Sequence, residues 1–403
     1  MDDERQTDAG LETIALGRLS EERRRLHHRA ATLSSASRGR PVPEPDDSVR
    51  TCYERDGHRI LHAKPFRRLR NKTQVFFSPE NDHIATRMDH SLYVATISRT
   101  ICRALGLNDD LAFAIALGHD LGHPPFGHSG ERVLDQFLTR RTSGEADLRG
   151  FVHEAQSLRV VDLLASSGGA ISKGLNLTYE VRDGIRCHCG ESTDREVRPR
   201  DRLDSRDPAT FTGRGTLPIT IEGCVVRLAD RIAYLGRDYE DAQVALSGLL
   251  PPLPEVVTER LGQDNRQVIN SLAVDVIRMN QRRPEVIGFS PAIHEAMIAL
   301  RSFNYSNIYE NERMDDYRGK IEAILKRIFE VSLDHLERRP VDRWGVSEPG
   351  FPLHLGALAR FVAGAGYDTP PPPARVVVDF ISLMTDGYAF KIFESISIPQ
   401  AIV

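Results

Sequence analysis

The 403-residue sequence has few cysteines, weak strand patterns and no long apolar run. An odd, sparse set of cysteines does not indicate a disulfide framework and favours a reducing cytoplasm. The five are Cys52, Cys102, Cys187, Cys189 and Cys224. Because no stretch of about 18 apolar residues is present, we predict no membrane span. The acidic first ten residues lack the apolar core of a secretory signal, so we expect a cytoplasmic protein.

The net charge says little about function, but the spacing of apolar residues predicts the fold class. The formal charge of −4 gives no global reason to expect nucleic-acid binding. Apolar residues from Val94 to Leu105 recur every three or four positions, which predicts a helix that ends at Gly106. Asn108 is a good N-cap for the next helix, and residues 221–246 predict a long one. The fold class is therefore predicted to be all-α.

Composition suggests three regions along the chain. Residues 1–50 predict an N-terminal helix and a flexible lead-in rich in proline and charge. Residues 51–250 contain the strongest motifs and form the predicted core. Residues 251–403 predict a further helical region packed on that core. Within the core, the polar residues 190–216 predict a surface loop or lid, and residues 141–150 predict another loop.

Leu117–Glu131, "LGHDLGHPPFGHSGE", concentrates three histidines, an aspartate and a glutamate at the end of an apolar helix. Neighbouring helical residues point about 100° apart, but at a glycine break His119 and Asp120 can converge on one ion. His90 and Asp230, each in an apolar helical run, are candidates for the remaining ligands. Two imidazoles and two carboxylates suit Mn, Fe or Co better than Mg. The alternative is that these are ordinary packed histidines and structural ion pairs.

His128 is a candidate proton donor, because an imidazole titrates near neutrality and Glu131 follows three residues later. The "PPFG" segment breaks the helix and permits an excursion that aims His128 at a metal-bound substrate. On the long helix, Tyr234 and Asp238 follow Asp230 at four-residue intervals and share its face. That stripe suits a sugar beside a metal, although a solvated surface stripe remains an alternative.

The order His90, His119-Asp120, Asp230 is the H…HD…D signature of the HD-domain metal phosphohydrolases. Further segments resemble the bacterial deoxyguanosinetriphosphate triphosphohydrolase-like proteins (dNTP triphosphohydrolases), whose active site is similar to that of the vertebrate dNTPase that restricts retroviruses. The segments are "ERDGHRILHAKPFRRLRNKTQVF", "TRMDHSLYVA", "GHDLGHPPFGHSGE", "HEAQSLR", "GLNLTYEVRDGI", "LADRIAYLGRD" and "DFISLMTDGYA". They run from about residue 50 to about residue 390, which is nearly the whole chain.

This resemblance implies an all-α HD-domain core that hydrolyses a deoxynucleoside triphosphate to a deoxynucleoside and tripolyphosphate. It implies a divalent metal (Mn, Fe, Co or Mg) bound by His90, His119, Asp120 and Asp230. It implies catalytic roles for His128, Glu131, His153 and His123. The implied substrate-binding residues are Arg87 and Arg231 at the phosphates, and Gln74, Tyr234 and Asp238 at the deoxyribose. Arg231 departs from the vertebrate lysine and from the aspartate of bacterial "ADDIAY" versions, which leaves its role open.

Several alternatives remain open at this stage. Family members form homo-oligomers, often hexamers, and some are activated by dNTPs at separate sites. The basic run Phe66–Lys72 fits a triphosphate, an effector nucleotide, single-stranded DNA or a solvated helix face. Cys187-His188-Cys189 does not predict structural zinc, because three consecutive donors cannot reach one ion well. The competing functions are another HD-type nucleotidase or phosphodiesterase, and a regulator that binds nucleotides or single-stranded DNA.

Overall fold

The computed structural model confirms the all-α prediction. It describes residues 14, 16–77, 81, 83–140, 150–166, 174–189, 192–246, 250–281, 283, 285–338, 353–369 and 371–399. The loop predicted at residues 141–150 lies outside this range except for Gly150. Among the described helices, none has both the length and the apolarity needed to cross a membrane.

The first half of the chain supplies the helices that carry most of the predicted site. A helix over residues 16–25 (α1) is followed by a short 3-10 turn at Ser34–Ala36. The next helices are α2 (Cys52–His62), α3 (Lys64–Arg68), α4 (Arg87–Leu105), α5 (Asp109–Gly118), α6 (Gly127–Thr139), α7 (His153–Arg159), α8 (Tyr179–Arg186) and α9 (Ile221–Ala245). Strand β1 (Glu196–Val197) lies in the predicted surface loop.

The second half continues with helices joined by short connections. They are α10 (Glu255–Arg260), α11 (Asn265–Asn280), α12 (Pro291–Asn304), α13 (Glu312–Arg338), α14 (Leu353–Gly364), α15 (Pro373–Ser382) and α16 (Asp386–Ser397). Strand β2 (Ile287–Gly288) pairs antiparallel with β1, so residues 196–197 are tied to the connection before α12. A π-helical turn, Tyr305–Tyr309, extends α12.

The two helix boundaries predicted beside the site are confirmed. Helix α4 begins at a capping box of Thr86 and Asp89, and it ends at Gly106, whose φ of 73° is left-handed. The Asn108 side chain accepts hydrogen bonds from the amides of Asp110 and Leu111 and so caps α5. Because Gly106 and Asn108 turn the chain sharply, α4 and α5 pack side by side and bring His90 near His119.

Two large apolar clusters meet at the predicted site. The first is built around α4, α5 and α9, with contributions from α2, α8, α11 and α12. The second combines α6 with α13, α15 and α16. The metal-ligand candidates lie on α4 and α9 and directly after α5, in the first cluster, whereas His128 lies on α6 in the second. The boundary at residue 250 stays a prediction, and α11 and α12 pack within the first cluster.

Candidate active site

A cavity of about 560 Å³ collects every predicted site residue except His119 and Arg231. Its walls include Gln74, Arg87, His90, Asp120, His123, His128, Glu131, His153, Asp230, Tyr234 and Asp238. This volume is in the range of small-ligand sites. His119 lies behind the wall, fully buried, with its ring 5.3 Å from that of His90.

The four candidate metal ligands converge from three helices. His90 projects from α4 and Asp230 from α9, and the His90 Nε2 lies 2.9 Å from the Asp230 Oδ1. The His119 Nε2, at the end of α5, lies 3.5 Å from the Asp120 Oδ1. Donor atoms about 2.1 Å from one cation, at angles near 90–110°, are separated by about 3.0–3.4 Å. Ligand atoms of His90, His119 and Asp230 all lie within 4.8 Å of one another, so these three side chains can share one ion, and Asp120 lies beside His119.

The hydrogen bonding of His119 suits a metal ligand. Its Nδ1 lies 2.6 Å from the carbonyl oxygen of Ala116, and a carbonyl can only accept, so Nδ1 carries the hydrogen. The Nε2 therefore keeps its lone pair, and this buried atom has no hydrogen-bond partner in the described part of the chain. A buried lone pair without a donor is costly unless a cation meets it.

The charge state of Asp120 also fits a cation site. Although burial alone would raise it, neighbouring His119, His123 and Arg87 hold the pKa of Asp120 well below its usual value. Arg87 donates to Asp120 Oδ2 at 2.7 Å, and its Nε donates to the carbonyl of Thr73. Both side chains are buried. Arg87 thus orients this carboxylate and also lines the cavity.

The turn after His119 needs glycine because of a close backbone approach. A Cβ on Gly122 would lie 2.1 Å from the backbone nitrogen of Ser157 in α7. The Ser157 hydroxyl donates to the carbonyl of His119 and accepts from the Gly122 amide, which holds the turn against α7. Phe126 then adopts a left-handed φ of 64°, and its amide donates to Asp386 Oδ1 at 2.9 Å. These contacts set where α6 begins.

His128 and His153 share one carboxylate, that of Glu131. The His128 Nδ1 lies 3.1 Å from Glu131 Oε2, and the His153 Nδ1 lies 3.0 Å from Oε1. Burial alone would raise the pKa of Glu131, but His153 and His128 hold it well below its usual value. The ionised carboxylate therefore accepts from both rings. The guanidinium of Arg214, from the loop before α9, also reaches Oε1.

Three imidazoles, those of His123, His153 and His188, lie close together at the site. The rings of His123 and His153 lie 3.9 Å apart at 20° to each other. The His153 Nε2 lies 3.2 Å from the His188 Nε2, and the His188 Nδ1 donates to the carbonyl of Ile185 at 2.7 Å. Burial and the neighbouring His119 and His153 lower the pKa of His188 to about 4. Despite burial, Glu154 and Glu131 raise the pKa of His153 to about 9.

His188 and Tyr309 are site residues that sequence reasoning missed. His188 stands between Cys187 and Cys189, so the sequence presents it as part of a candidate soft-metal motif, and both cysteines are buried. Tyr309 lines the cavity, and its hydroxyl donates to Asp238 Oδ2. The only local signal for Tyr309 was its four-residue spacing from Tyr305 in an otherwise polar stretch.

Asp238, Tyr234 and Tyr309 form one wall of the cavity. The predicted i, i+4, i+8 stripe of α9 faces the cavity rather than solvent. Burial raises the pKa of Asp238 to about 7, and its Oδ1 has no partner among the described residues. A hydroxylated ligand can satisfy such an acceptor. Gln74 lines the same cavity, and its buried Oε1 is likewise without a described partner.

Arg231 points away from this cavity. Its Nη1 donates to the backbone carbonyls of Ser192 and Asp194, at 2.9 Å each. The side chain is fully buried, and burial lowers its pKa to about 10. This geometry favours bracing of residues 192–194 over direct contact with a phosphate.

The basic run Phe66–Lys72 divides between two environments. Arg67 and Arg70 are exposed, as a solvated helix face requires. Lys72 is buried, and its ammonium donates to the carbonyls of His123 and Ser382. Burial lowers the pKa of Lys72 to about 7. Lys72 therefore links the turn that contains His123 to the end of α15.

Comparison with known proteins places this geometry in a family. The family model described as "HD domain" matches residues 87–235, from Arg87 to the turn of α9 that follows Asp230. A deoxyguanosinetriphosphate triphosphohydrolase-like protein of Caldanaerobacter subterraneus subsp. tengcongensis is 38% identical over 372 residues, which cover 92% of each chain. A protein of the same name from Desulfatibacillum aliphaticivorans is 37% identical, over 93% of this chain and 95% of the relative. The chain belongs to the family of deoxyguanosinetriphosphate triphosphohydrolase-like proteins, as its motifs predicted, and it contains an HD domain.

Proposed function

We propose that this HD-type nucleotide phosphohydrolase converts a deoxynucleoside triphosphate, such as dGTP, to a deoxynucleoside and tripolyphosphate. The observation that carries the proposal is the position of the His128–Glu131 pair. It lines the same cavity as Asp120 and Asp230 of the four-ligand cluster. An acid–base pair beside a cation site is what cleavage of a phosphate ester requires.

In this proposal, His90, His119, Asp120 and Asp230 hold a divalent cation such as Mn, Fe, Co or Mg. When bound, the cation supplies Lewis acidity toward the α-phosphoryl oxygen. Arg87, next to the ligand Asp120, contributes positive charge to the phosphates. His123 forms the adjacent wall, where the phosphates would pass.

His128 protonates the leaving 5′-oxygen. Its Nδ1 donates to Glu131, so Nε2 is the nitrogen that exchanges a proton with the substrate. Glu131 holds that tautomer and stabilises the protonated ring. His153, on the other oxygen of Glu131, keeps the carboxylate ionised and oriented.

The deoxyribose lies against Tyr234, Asp238 and Gln74. The unpartnered Oδ1 of Asp238 can accept from the 3′-hydroxyl, and Tyr309 holds the other oxygen. In this proposal, the wall and the ring of Tyr234 crowd the position that a 2′-hydroxyl would take. Discrimination against ribonucleotides follows from that crowding.

Chromatography of the products from each dNTP, with Mn or Mg, tests the proposal. We expect deoxynucleoside and tripolyphosphate in equal amounts. Free phosphate or a monophosphate product would instead favour another HD-type nucleotidase or a phosphodiesterase. If a metal-loaded sample hydrolyses no dNTP, singly or in mixtures, a regulator that binds nucleotides or single-stranded DNA becomes the better description.

The same assay with pairs of dNTPs tests activation at a separate site. Such activation and assembly into a homo-oligomer, with a hexamer as one form, are proposed here from family likeness. An activating dNTP raises turnover of a second dNTP without itself being consumed faster. Sedimentation with and without dNTPs reports the oligomer.

A further inference from the structure

Arg214 reaches the acid–base pair from the loop before α9. Its Nη2 lies 2.5 Å from Glu131 Oε1, and its Nε lies 3.7 Å from Glu154 Oε1. The guanidinium lines the cavity, and the side chain is 36% exposed. Because Glu131 belongs to α6 and Glu154 to α7, this one side chain links the loop to both helices.

The backbone around Arg214 is built to present its side chain. Arg186 of α8 donates to the carbonyls of Phe211 and Gly213, at 2.9 and 2.7 Å, and so anchors the chain just before Arg214. Gly213 and Gly215 have left-handed φ angles of 67° and 96°. A Cβ on either glycine would meet no atom within 4 Å, so backbone conformation rather than crowding requires them. The anchored chain thus turns on both sides of Arg214 and directs it at the cavity.

The charges around Glu131 balance only when Arg214 is included. Although burial alone would raise it, the neighbouring His153 holds the pKa of Glu131 well below its usual value, and the pKa of Glu154 is lowered in the same way. Despite burial, these two carboxylates raise the pKa of His153 to about 9, so the ring carries one positive charge at neutral pH. One imidazolium offsets one of two buried carboxylates, and Arg214 offsets the second.

This balance bears on His128, whose Nδ1 lies 3.1 Å from the other oxygen of Glu131. A carboxylate whose charge acted on this ring alone would hold the ring protonated and weaken it as an acid. Arg214 and the Nδ1 of His153 both donate to Oε1, at 2.5 and 3.0 Å, so the charge of Glu131 is shared. Sharing of this kind makes the His128 proton easier to transfer.

We propose that Arg214 is a positioning residue for proton transfer: it shares the Glu131 carboxylate with His128 and so sets how readily His128 protonates the leaving oxygen. The inference rests on the proposed function, in which His128 is the proton donor. The other titratable groups that face this pair lie in the turn after α5 and on α6, α7 and α13. They are His123, Arg132, Asp135, His153, Glu154 and Arg318. All of them remain when Arg214 alone is changed.

Chemical modification of His128 without substrate tests the inference. Diethyl pyrocarbonate acylates the neutral imidazole, and the His128 side chain is 52% exposed, whereas His123 and His153 are buried. Peptide mass spectrometry follows modification of His128 from about pH 5 to about pH 9, around the usual titration of histidine. We expect the midpoint for Arg214→Gln to lie about 0.5–1 pH unit above that of the wild type, because loss of a cation favours the protonated ring. Arg214→Lys keeps the charge and should stay near the wild type.

Steady-state kinetics with dGTP give a second readout. We expect Arg214→Gln to lower kcat about tenfold with little change in KM or metal content, because Arg214 acts through Glu131 rather than on the substrate. The alkaline limb of the kcat profile should move to higher pH, and Arg214→Lys should restore most of the loss. A raised KM with unchanged kcat would overturn the proposal and assign Arg214 to binding of the phosphates.

Arg206→Gln is the matched control. Arg206 belongs to the same polar loop, but it pairs with Asp204, and its guanidinium lies over the ring of Phe211. This variant should keep the wild-type midpoint for His128 and the wild-type kcat. Both arginines are at exposed loop positions, so their replacement should leave the fold intact, which circular dichroism checks.

An identical midpoint for His128 in the wild type and Arg214→Gln overturns the proposal and limits Arg214 to a surface ion pair. The modification assay contains no substrate, so its result is independent of the product assay. A shifted midpoint with products other than tripolyphosphate would contradict the proposed function alone. An unshifted midpoint with tripolyphosphate as the product would contradict the role of Arg214 alone.

Discussion

Glu131 Oε2 lies 3.1 Å from the Nδ1 of His128, and both residues lie near the start of α6. The His128 side chain is 52% exposed, whereas that of Glu131 is 5% exposed. A proton donor that faces the cavity is thus oriented by a carboxylate that is shielded from water. The exposed His128 ring can therefore exchange a proton with the substrate, while the buried Glu131 carboxylate holds the ring in position.

Replacement of His128 should separate proton transfer from metal binding. We expect His128→Ala to lower kcat by about 100- to 10,000-fold, because the leaving oxygen loses its donor. Metal content should stay near that of the wild type, since none of the four ligands is removed. Steady-state kinetics and elemental analysis measure both quantities.

His119→Ala is the comparison variant, and it should lose both turnover and metal. Its Nε2 is the buried lone pair for which no other partner is described. If His128→Ala instead strips the metal, the assignment of roles to His119 and His128 is wrong.

Asp386 does not line the cavity, but it should position the turn that leads to His128. Its carboxylate accepts from the amides of Phe126 and Thr73, at 2.9 and 2.8 Å, and from the Thr73 hydroxyl. Asp386→Ala leaves these buried donors unsatisfied, which we expect to cost about 2–3 kcal/mol of unfolding free energy. Because Phe126 starts the turn into His128, kcat should also fall, by about tenfold. Denaturation and kinetics check the two effects.

Asp386→Asn retains one acceptor oxygen and should give an intermediate loss of stability. An unchanged melting temperature in Asp386→Ala would contradict the positioning role. A fall in stability with unchanged kcat would limit Asp386 to a structural contribution.

Tyr309 should contribute to the choice between deoxyribose and ribose. Its hydroxyl holds Asp238, so Tyr309→Phe frees a carboxylate oxygen and opens the wall of the cavity. We expect the ratio of kcat/KM for dGTP over GTP to fall about tenfold, equivalent to one hydrogen bond. Competition assays with both nucleotides measure this ratio directly.

Tyr239→Phe is the matched control for Tyr309→Phe. Tyr239 lies next to Asp238 in sequence, but its hydroxyl accepts from Gln243 and its ring packs on Phe303. The selectivity ratio should not change in this variant. Equal ratios in both variants would show that the Tyr309 hydroxyl plays no part in sugar selection.

Glu44 should make stability depend on pH at the acid end. The hydrogen bond from Arg59 lowers the pKa of Glu44 from 4.5 to about 2, and Asn176 also donates to Glu44 at 2.6 Å. A depressed pKa means that the stabilisation is present above pH 4.5 and is lost as the pH falls toward 2. Because the side chain is 26% exposed, water screens it, and we expect about 1 kcal/mol at neutral pH.

Glu44→Gln should therefore unfold more readily than the wild type at pH 7, and the difference should shrink as the pH approaches 2. Chemical denaturation across this range measures it. Asp46→Asn, at an exposed neighbouring position, is the control and should show a small difference at every pH. If the difference in unfolding free energy between Glu44→Gln and the wild type grew as the pH fell, the assigned ion pairs of Glu44 would be contradicted.

Local patterns predicted the helices and their ends because those depend on neighbours in the chain. The stop at Gly106 and the cap at Asn108 follow from backbone conformation and a side chain two residues away. The face shared by Asp230, Tyr234 and Asp238 follows from helical periodicity alone. The same periodicity explains why Arg231, one residue from Asp230, leaves the cavity.

Contacts between distant residues were beyond sequence reasoning. His188 reaches His153 only because α7 and α8 pack together, and its flanking cysteines had suggested a different chemistry. Asp386 reaches Phe126 across 260 positions. The specific roles of the site residues, and the boundaries at residues 50 and 250, stay predictions.

Residue order by itself determined an all-α chain, the helix ends beside the site, and the candidate ligands His90, His119, Asp120 and Asp230, since these depend on spacing and side-chain type. Tertiary structure decided which imidazole nitrogens face each other, which carboxylate is shared, and which helices complete the cavity. The physical reason is that a hydrogen bond or a metal ligand depends on atoms brought within about 3 Å, and only the packing of distant helices sets those separations.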